Sequence, residues 1–274
     1  MNIHYHGHEI EHALGSCSVE FLVIDAPFAE RLALDIGTRC PSLRKVFVFG
    51  GIGTPSSALL HDAGALIGDP MNAPALVDLT QDDVAMMLYT SATTGKAKGV
   101  MLTIGNLEAN YDTTSDFLQL TSEDVILCAL PLYNTFGLNQ GINVMVQRGA
   151  TMVLMARFDP LACLQAIEHY RCTFLPAVPT MLQKLLYHPA VERYDLHSLR
   201  RFCVGAAPVP APLLARLHQR ISADALVING YGLTEATALV AIHEVTVDAN
   251  GDLVRGKSIG RPIAGVEMSI LDEA

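Results

Sequence analysis

The stretch YTSATTGKAKGV, Tyr89 to Val100, sets three kinds of residue close together: the hydroxyls of Thr90, Ser91, Thr93 and Thr94, the small residues Ala92, Gly95 and Gly99, and the lysines Lys96 and Lys98. Hydroxyls and backbone N–H groups left bare by small side chains make a nest for an anion, and two ammonium groups add attraction. Such chemistry suits a polyphosphate. The spacing departs from the Walker loop GxxxxGK[ST], because Ala97 follows Lys96 where a Ser or Thr is required. A P-loop kinase or GTPase is therefore disfavoured. Taken alone, the stretch reads equally well as a polar hairpin between two strands, AMMLYT before it and GVMLT after it.

Working outward, strand-length apolar runs alternate with amphipathic helical spacing, the pattern of parallel sheets with crossover helices. The fold class is α/β. The helix EIEHAL, with Ile10, Ala13 and Leu14 on one face, precedes the strand VEFLVI. A helix through Leu32 and Ile36, closed by Gly37, precedes KVFVFG. Gly51 to Thr80 is rich in Gly, Pro, Ala and Asp and reads as a connector. The expected division is a first lobe over 1–80 and a second over 81–274. Thr103 is placed to cap a helix carrying Leu107, Tyr111 and Thr114. Beyond it lie VILCAL, TMVLM, a helix from Pro160 with Leu161, Leu164 and Ile167, and FLPAVP, which leads into a helix bearing Leu182, Leu185 and Leu186. RFCVG then precedes a helix with Leu213, Leu214 and Leu217.

Composition bounds the function. A chain of 274 residues can bury one large core or two small ones. A formal net charge of −10 argues against nucleic-acid binding, which calls for a basic face. The six cysteines lack CxxC pairing and several sit in apolar runs, so they read as reduced core residues. No apolar run reaches the roughly 18 to 20 residues that span a bilayer, and the cytoplasm is the default location. With 50% apolar residues the chain is rich in hydrophobic surface, and self-association is expected if part of it stays uncovered.

Further stretches follow the opening one in order: PLYNTFGL (131–138), VPTMLQKLL (178–186), VGAAPVP (204–210), NGYGLTEAT (229–237) and GKSIGRPIAGVEMSILD (256–272). With YTSATTGKAKGV they resemble the adenylate-forming superfamily, whose usual phosphate loop is YTSGTTGKPKGV. The likeness is greatest to fatty-acyl-CoA synthetases. NIHYHGHEIEHAL also resembles that family's NxRLxxxEIxYxL segment.

The resemblance implies the family's large α/β domain and a two-step reaction. A carboxylic acid, here expected to be a fatty acid, is activated by ATP to an acyl-AMP, and CoA then displaces AMP. By motif, Thr90, Ser91, Thr93, Thr94, Gly95 and Lys98 would cradle phosphates. Thr234 would bind phosphate and Glu235 would hold Mg²⁺, with Thr234, Glu235 and Lys98 as the catalytic set. Gly205, Ala206, Ala207, Asn229, Gly230 and Tyr231 would line the adenine slot, and Tyr133, Asn134, Phe136, Gly137, Val178 and Met181 the acid site. For these acid-site residues ordinary core packing is an equal reading. An aryl-CoA ligase or another acid activator is the alternative within the family, and a truncated, non-catalytic nucleotide- or acyl-binding or assembly module the alternative outside it.

The sequence departs from the family pattern at Ala92, where glycine is usual, at Ala97, where proline is usual, and at Asn134, where histidine is common. Asn134 keeps hydrogen-bonding capacity but cannot titrate. No YRTGD-like motif follows SILDEA and no C-terminal lid domain is present, so the chain reads as a central part of the large domain and is expected to adenylate poorly by itself. HEIEH, His8 to His12, satisfies the zinc-protease spacing HExxH. It lacks an evident third ligand, and an ordinary amphipathic helix explains the same residues.

Overall fold

The computed structural model describes every residue except 3, 30, 31, 33–35, 52–57, 69–73, 91–96, 255–257, 273 and 274, together with the side chains of 112–114. Thr114's side chain and the residues Gly256 and Lys257 thus lie outside the described residues. The chain forms two compact units, Met1–Met101 and Leu102–Ala274.

In the first unit α1 (Gly7–Ser16) leads to β1 (Phe21–Asp25), the short helices α2 (Ala26–Ala29) and α3 (Ile36–Arg39), β2 (Lys45–Phe49) and β3 (Leu60–Asp62). The three strands pair in parallel in the order β1-β2-β3. Alternation along the strands turns Leu22, Ile24, Val46 and Val48 onto Ile10 and Leu14 of α1. The same alternation leaves Phe21, Val23 and Phe49 exposed on the other face. Part of the stretch read as a loose connector thus supplies a strand, β3. Gly37 sits inside α3 rather than closing a helix.

A hairpin of β4 (Val84–Thr90) and β5 (Lys98–Thr103) completes this unit as a separate two-stranded sheet. The Tyr89 hydroxyl donates to the Ala13 carbonyl at 3.1 Å and also meets Ser16 Oγ. His12 Nε2 lies 2.8 Å from the Ala97 carbonyl, which fixes that ring nitrogen as the donor. These bonds attach the hairpin to α1, so the compact unit runs on to Met101 instead of closing near Thr80. They also give His12 of HEIEH a backbone partner. Among the described residues no three metal-binding side chains cluster.

The second unit opens with α4 (Ile104–Phe117). Thr103 and Asn106 exchange side-chain-to-backbone bonds at its start, 3.2 and 3.0 Å, a reciprocal cap of the kind the sequence suggests. There follow β6 (Val125–Cys128), α5 (Thr135–Gly137), a π-helical turn over Leu138–Asn143, α6 (Val144–Arg148) and β7 (Thr151–Leu154). Next come α7 (Pro160–Tyr170), β8 (Phe174–Ala177), α8 (Pro179–Leu186), β9 (Arg201–Gly205), α9 (Ala211–Arg220), β10 (Leu226–Gly232), β11 (Leu239–Glu244) and β12 (Arg261–Pro262).

Seven strands form one sheet in the order β12-β11-β10-β9-β8-β6-β7. From β7 to β10 neighbours are parallel, while β11 and β12 run antiparallel. Helices cover both faces, so the central strands β6, β8 and β9 are buried almost continuously rather than in alternation. Phe202 and Val204 of β9 face α7, α8 and α9, whose Leu164, Ile167, Leu182, Leu185, Leu214 and Leu217 fill that side. Cys203 faces the opposite layer with Leu118, Ile126, Phe174 and Ile228.

At the amino ends of the strands the fully buried Asp124 accepts from Thr173 Oγ1 (2.7 Å), the Thr121 N–H (2.8 Å), Arg200 (3.1 Å) and Arg201 (3.1 Å). Burial by itself would raise this carboxyl. The bonds from Thr173 and Thr121 and the charges of Arg201 and Arg200 outweigh it and hold the group below the usual carboxylate range. No described helix is long and apolar enough to cross a membrane.

Candidate active site

In open α/β sheets, ligands bind beyond the carboxyl ends of the parallel strands. Here β9 ends at Gly205 and β10 at Gly232, and a cleft of about 140 Å³ opens beside them. Gly205, Ala206, Gly230 and Gly232 supply one side. Thr135, Phe136, Gln140, Ala238 and Leu239 supply the rest.

Glycine is required at Gly232 by close approach. A Cβ on Gly232 would lie 1.6 Å from the Ala238 carbonyl oxygen, where the chain reverses into β11 and the β10–β11 register slips. One on Gly205 would lie 3.1 Å from the Phe136 ring. Ala206 has φ +68 and Thr237 φ +74, left-handed values that cost energy for residues with side chains. Asn229 offsets part of the cost at Ala206: its Nδ2 donates to the carbonyls of Val204 (3.2 Å) and Ala207 (2.9 Å) and so fixes the loop after β9.

The structure brings Phe136, Gly205, Ala206 and Gly230 of the expected set together around this cleft. Asn229 holds its rim. Ala207 lies instead on a wider groove of about 450 Å³ between α8 and α9, with Pro208, Tyr187 and Leu213. Tyr231 is 43% exposed, Thr234 is half-buried and Glu235 is exposed in a 3-10 turn, Thr234–Ala236.

Asn134 serves locally: its Oδ1 accepts from the Gly137 N–H at 2.9 Å and caps α5. Gly137 is buried, with room for no side chain against the Pro131 carbonyl. Tyr133 is half-buried and does not line the cleft. Met181, 8% exposed, packs in the core under α8, and Val178 is half-buried just before that helix. Neither reaches the cleft wall. In the first unit Thr90 ends β4 and Lys98 begins β5. Ser91, Thr93, Thr94 and Gly95 lie outside the described residues.

Gln140 is the wall residue that sequence reading passes over. The π turn carries Asn139, Gln140 and Gly141 inward together. Asn139 Nδ2 donates to Asn110 Oδ1 at 2.7 Å. Asn110 Nδ2 donates to the Leu239 carbonyl at 2.7 Å, and Asn110 Oδ1 also accepts from the Leu239 N–H at 3.4 Å. A buried chain of amides thus ties the π turn, through α4, to the strand that walls the cleft. A signal for it exists in the sequence: polar and small residues, Asn139 to Gly141, interrupt an otherwise apolar helical run.

Below the site burial pushes the thiols of Cys128 and Cys203 up, Cys203 to about 12, so both stay protonated at neutral pH. Magnesium fits Glu235 in a limited sense. It takes one or two carboxylates together with substrate phosphates and waters, and the exposed carboxylate of Glu235, next in the chain to Thr234, can serve as one such ligand.

The family model for AMP-binding enzymes matches residues 1–274. The 3-[(3aS,4S,7aS)-7a-methyl-1,5-dioxo-octahydro-1H-inden-4-yl]propanoyl:CoA ligase of Mycobacterium tuberculosis is 38% identical over 237 residues, 85% of this chain and 45% of that protein. The 4-coumarate–CoA ligase of Pinus taeda is 31% identical over 275 residues, 99% of this chain and 50% of that one. The structure of ATP-bound MatB from Rhodopseudomonas palustris aligns with a TM-score of 0.76 at 29% identity, covering 97% of this chain and 49% of MatB. The chain spans about half the length of the curated relatives it matches. With a family model matched from end to end and the glycine-edged cleft at the ends of its parallel strands, this chain belongs to the AMP-binding enzyme family.

Proposed function

We propose that the protein supplies the carboxylate-activating site of an AMP-forming acid–thiol ligase. An oxygen of the carboxylate attacks the α-phosphorus of ATP, the bond to pyrophosphate breaks, and an acyl-AMP anhydride forms. The CoA thiol then loses its proton to solvent, its sulfur attacks the acyl carbon, and AMP leaves. Such chemistry depends on positioning and on neutralising charge.

On this reading the hydroxyls of Thr90, Ser91, Thr93 and Thr94, the backbone at Gly95 and the Lys98 ammonium engage phosphates, as does the Thr234 hydroxyl. Magnesium held by Glu235 would neutralise phosphate charge as a Lewis acid. Gly205 and Gly230 leave room for flat groups, and the exposed Tyr231 is free to stack on the base. Asn229 is a positioning residue.

The observation that carries the reading is the bare-backbone cleft at the ends of β9 and β10, facing Phe136, in a chain matched throughout by the AMP-binding model.

Acid-dependent exchange of labelled pyrophosphate into ATP tests the proposal. The exchange is expected to require magnesium and to fall about 100-fold or more in Glu235→Gln. Exchange that needs no added acid, or that ignores Glu235, would refute it.

A further inference from the structure

The residues of HEIEH have tasks other than metal binding. Glu9 Oε2 accepts from the His6 N–H at 2.9 Å and so caps α1, and Glu11 pairs with Arg39 of α3. His12, half-buried, reaches the β4–β5 hairpin instead, where its Nε2 donates to the Ala97 carbonyl across 85 residues of chain. Ala97 stands immediately before Lys98.

A second anchor holds the other arm. Tyr89, immediately before Thr90, donates from its hydroxyl to the Ala13 carbonyl at 3.1 Å, and Cys17 Sγ lies 2.7 Å from the same hydroxyl. The His12 and Tyr89 rings meet edge to face with centroids 6.2 Å apart, so the two anchors support each other. β4 and β5 form a sheet of only two strands, and a two-stranded hairpin is marginal by itself. Its placement therefore rests on α1, which the buried Ile10 and Leu14 seat on β1 and β2.

Building on the ligase reading, in which Thr90 and Lys98 engage phosphates, we infer that His12 is a positioning residue for the β- and γ-phosphates of ATP. It acts through the Ala97 carbonyl, with Tyr89 as its counterpart on the opposite arm. Nε2 carries a proton in the imidazolium as well as in the neutral tautomer that donates here, so the role is geometric and needs no change of charge. Small displacements of such groups are costly, because phosphate binding depends on position.

AMP lacks the two phosphates in question, which makes it the internal control. By calorimetry with the purified protein, His12→Ala is expected to weaken MgATP about tenfold, the equivalent of one well-made hydrogen bond, while AMP stays within about twofold. His12→Gln, whose amide nitrogen reaches about as far as Nε2, is expected to recover most of the loss. Tyr89→Phe removes the other anchor and is expected to show the same selective loss of ATP. His12→Gln and Tyr89→Phe carry the decision if His12→Ala does not fold.

Equal losses for ATP and AMP in a folded His12→Ala protein overturn the inference, because they mark a general loss of structure. So does unchanged ATP affinity in His12→Ala or in Tyr89→Phe, or a His12→Gln protein as weak as His12→Ala. The ligase reading fails separately: a selective ATP defect in the variants, with a wild type that shows no acid-dependent pyrophosphate exchange, would sink that reading and leave His12 standing. Normal exchange with unchanged ATP affinity does the reverse. A wild type that binds neither nucleotide sinks both.

Discussion

Replacing Asn110 by alanine removes the junction of the buried amide chain. Two strong bonds disappear, the one from Asn139 Nδ2 and the one to the Leu239 carbonyl, both 2.7 Å, along with the longer contact from the Leu239 N–H. Asn139 and Leu239 are both buried, so the orphaned amide and carbonyl cannot turn to bulk water. Each unsatisfied buried group costs about 1–3 kcal/mol, which puts the loss at roughly 2–6 kcal/mol. A typical domain is stable by only ~5–15 kcal/mol, so the effect should be plain in urea unfolding. The midpoint should fall with the slope of the transition preserved. Because Leu239 is a cleft wall, substrate affinity should weaken alongside. A loss below about 1 kcal/mol would mean that the junction contributes no more than an ordinary surface bond, and the reasoning would fail.

Three further outcomes are expected. Gly232→Ala drives a Cβ into the Ala238 carbonyl, so the β10–β11 reversal must open, and kcat/KM for acid activation should drop by about 100-fold or more; near-normal turnover would contradict the geometry. Asp124 has a depressed carboxyl, so its stabilisation is present above the unfolded value near ~3.9 and is lost as pH falls through the lower folded value; urea midpoints measured from pH 6 to pH 2 should fall less steeply in Asp124→Asn than in the wild type. Among the cysteines Cys17 is half-buried, whereas burial lifts Cys163 to about 11 and Cys172 and Cys203 to about 12. Under native conditions an alkylating reagent followed by mass mapping should label Cys17 first and the other three only on unfolding.

The helical faces of α7, α8 and α9 were legible because one stripe of leucines meets one face of one sheet, a relation that 3.6-residue spacing states directly. The small residues after β9 and β10 were legible too, since a strand that ends on Gly or Ala beside a turn leaves backbone open at the edge. Met181 shows the limit of that method: four residues before Leu185, it shares the helix's core face, and spacing cannot separate a core wall from a pocket wall.

Gln140 was hidden for a related reason. A π turn carries more residues than an α turn, so the faces assigned by ordinary helical spacing rotate there, and the polar interruption from Asn139 to Gly141 does not by itself say which side chain turns inward. The attachment of the β4–β5 hairpin to α1 was equally invisible. It rests on Tyr89 reaching Ala13 and on His12 reaching Ala97, contacts more than seventy residues apart in the chain.

The bare edge at Gly232 also decides how this cleft can be altered. With a carbonyl pressed against it, that position tolerates no side chain, so neither selection nor an engineer can narrow the space from Gly232. Remodelling is open at the other walls, Thr135, Phe136, Gln140, Ala238 and Leu239. Libraries confined to those five positions should therefore hold most of the ways in which this cleft can be reshaped.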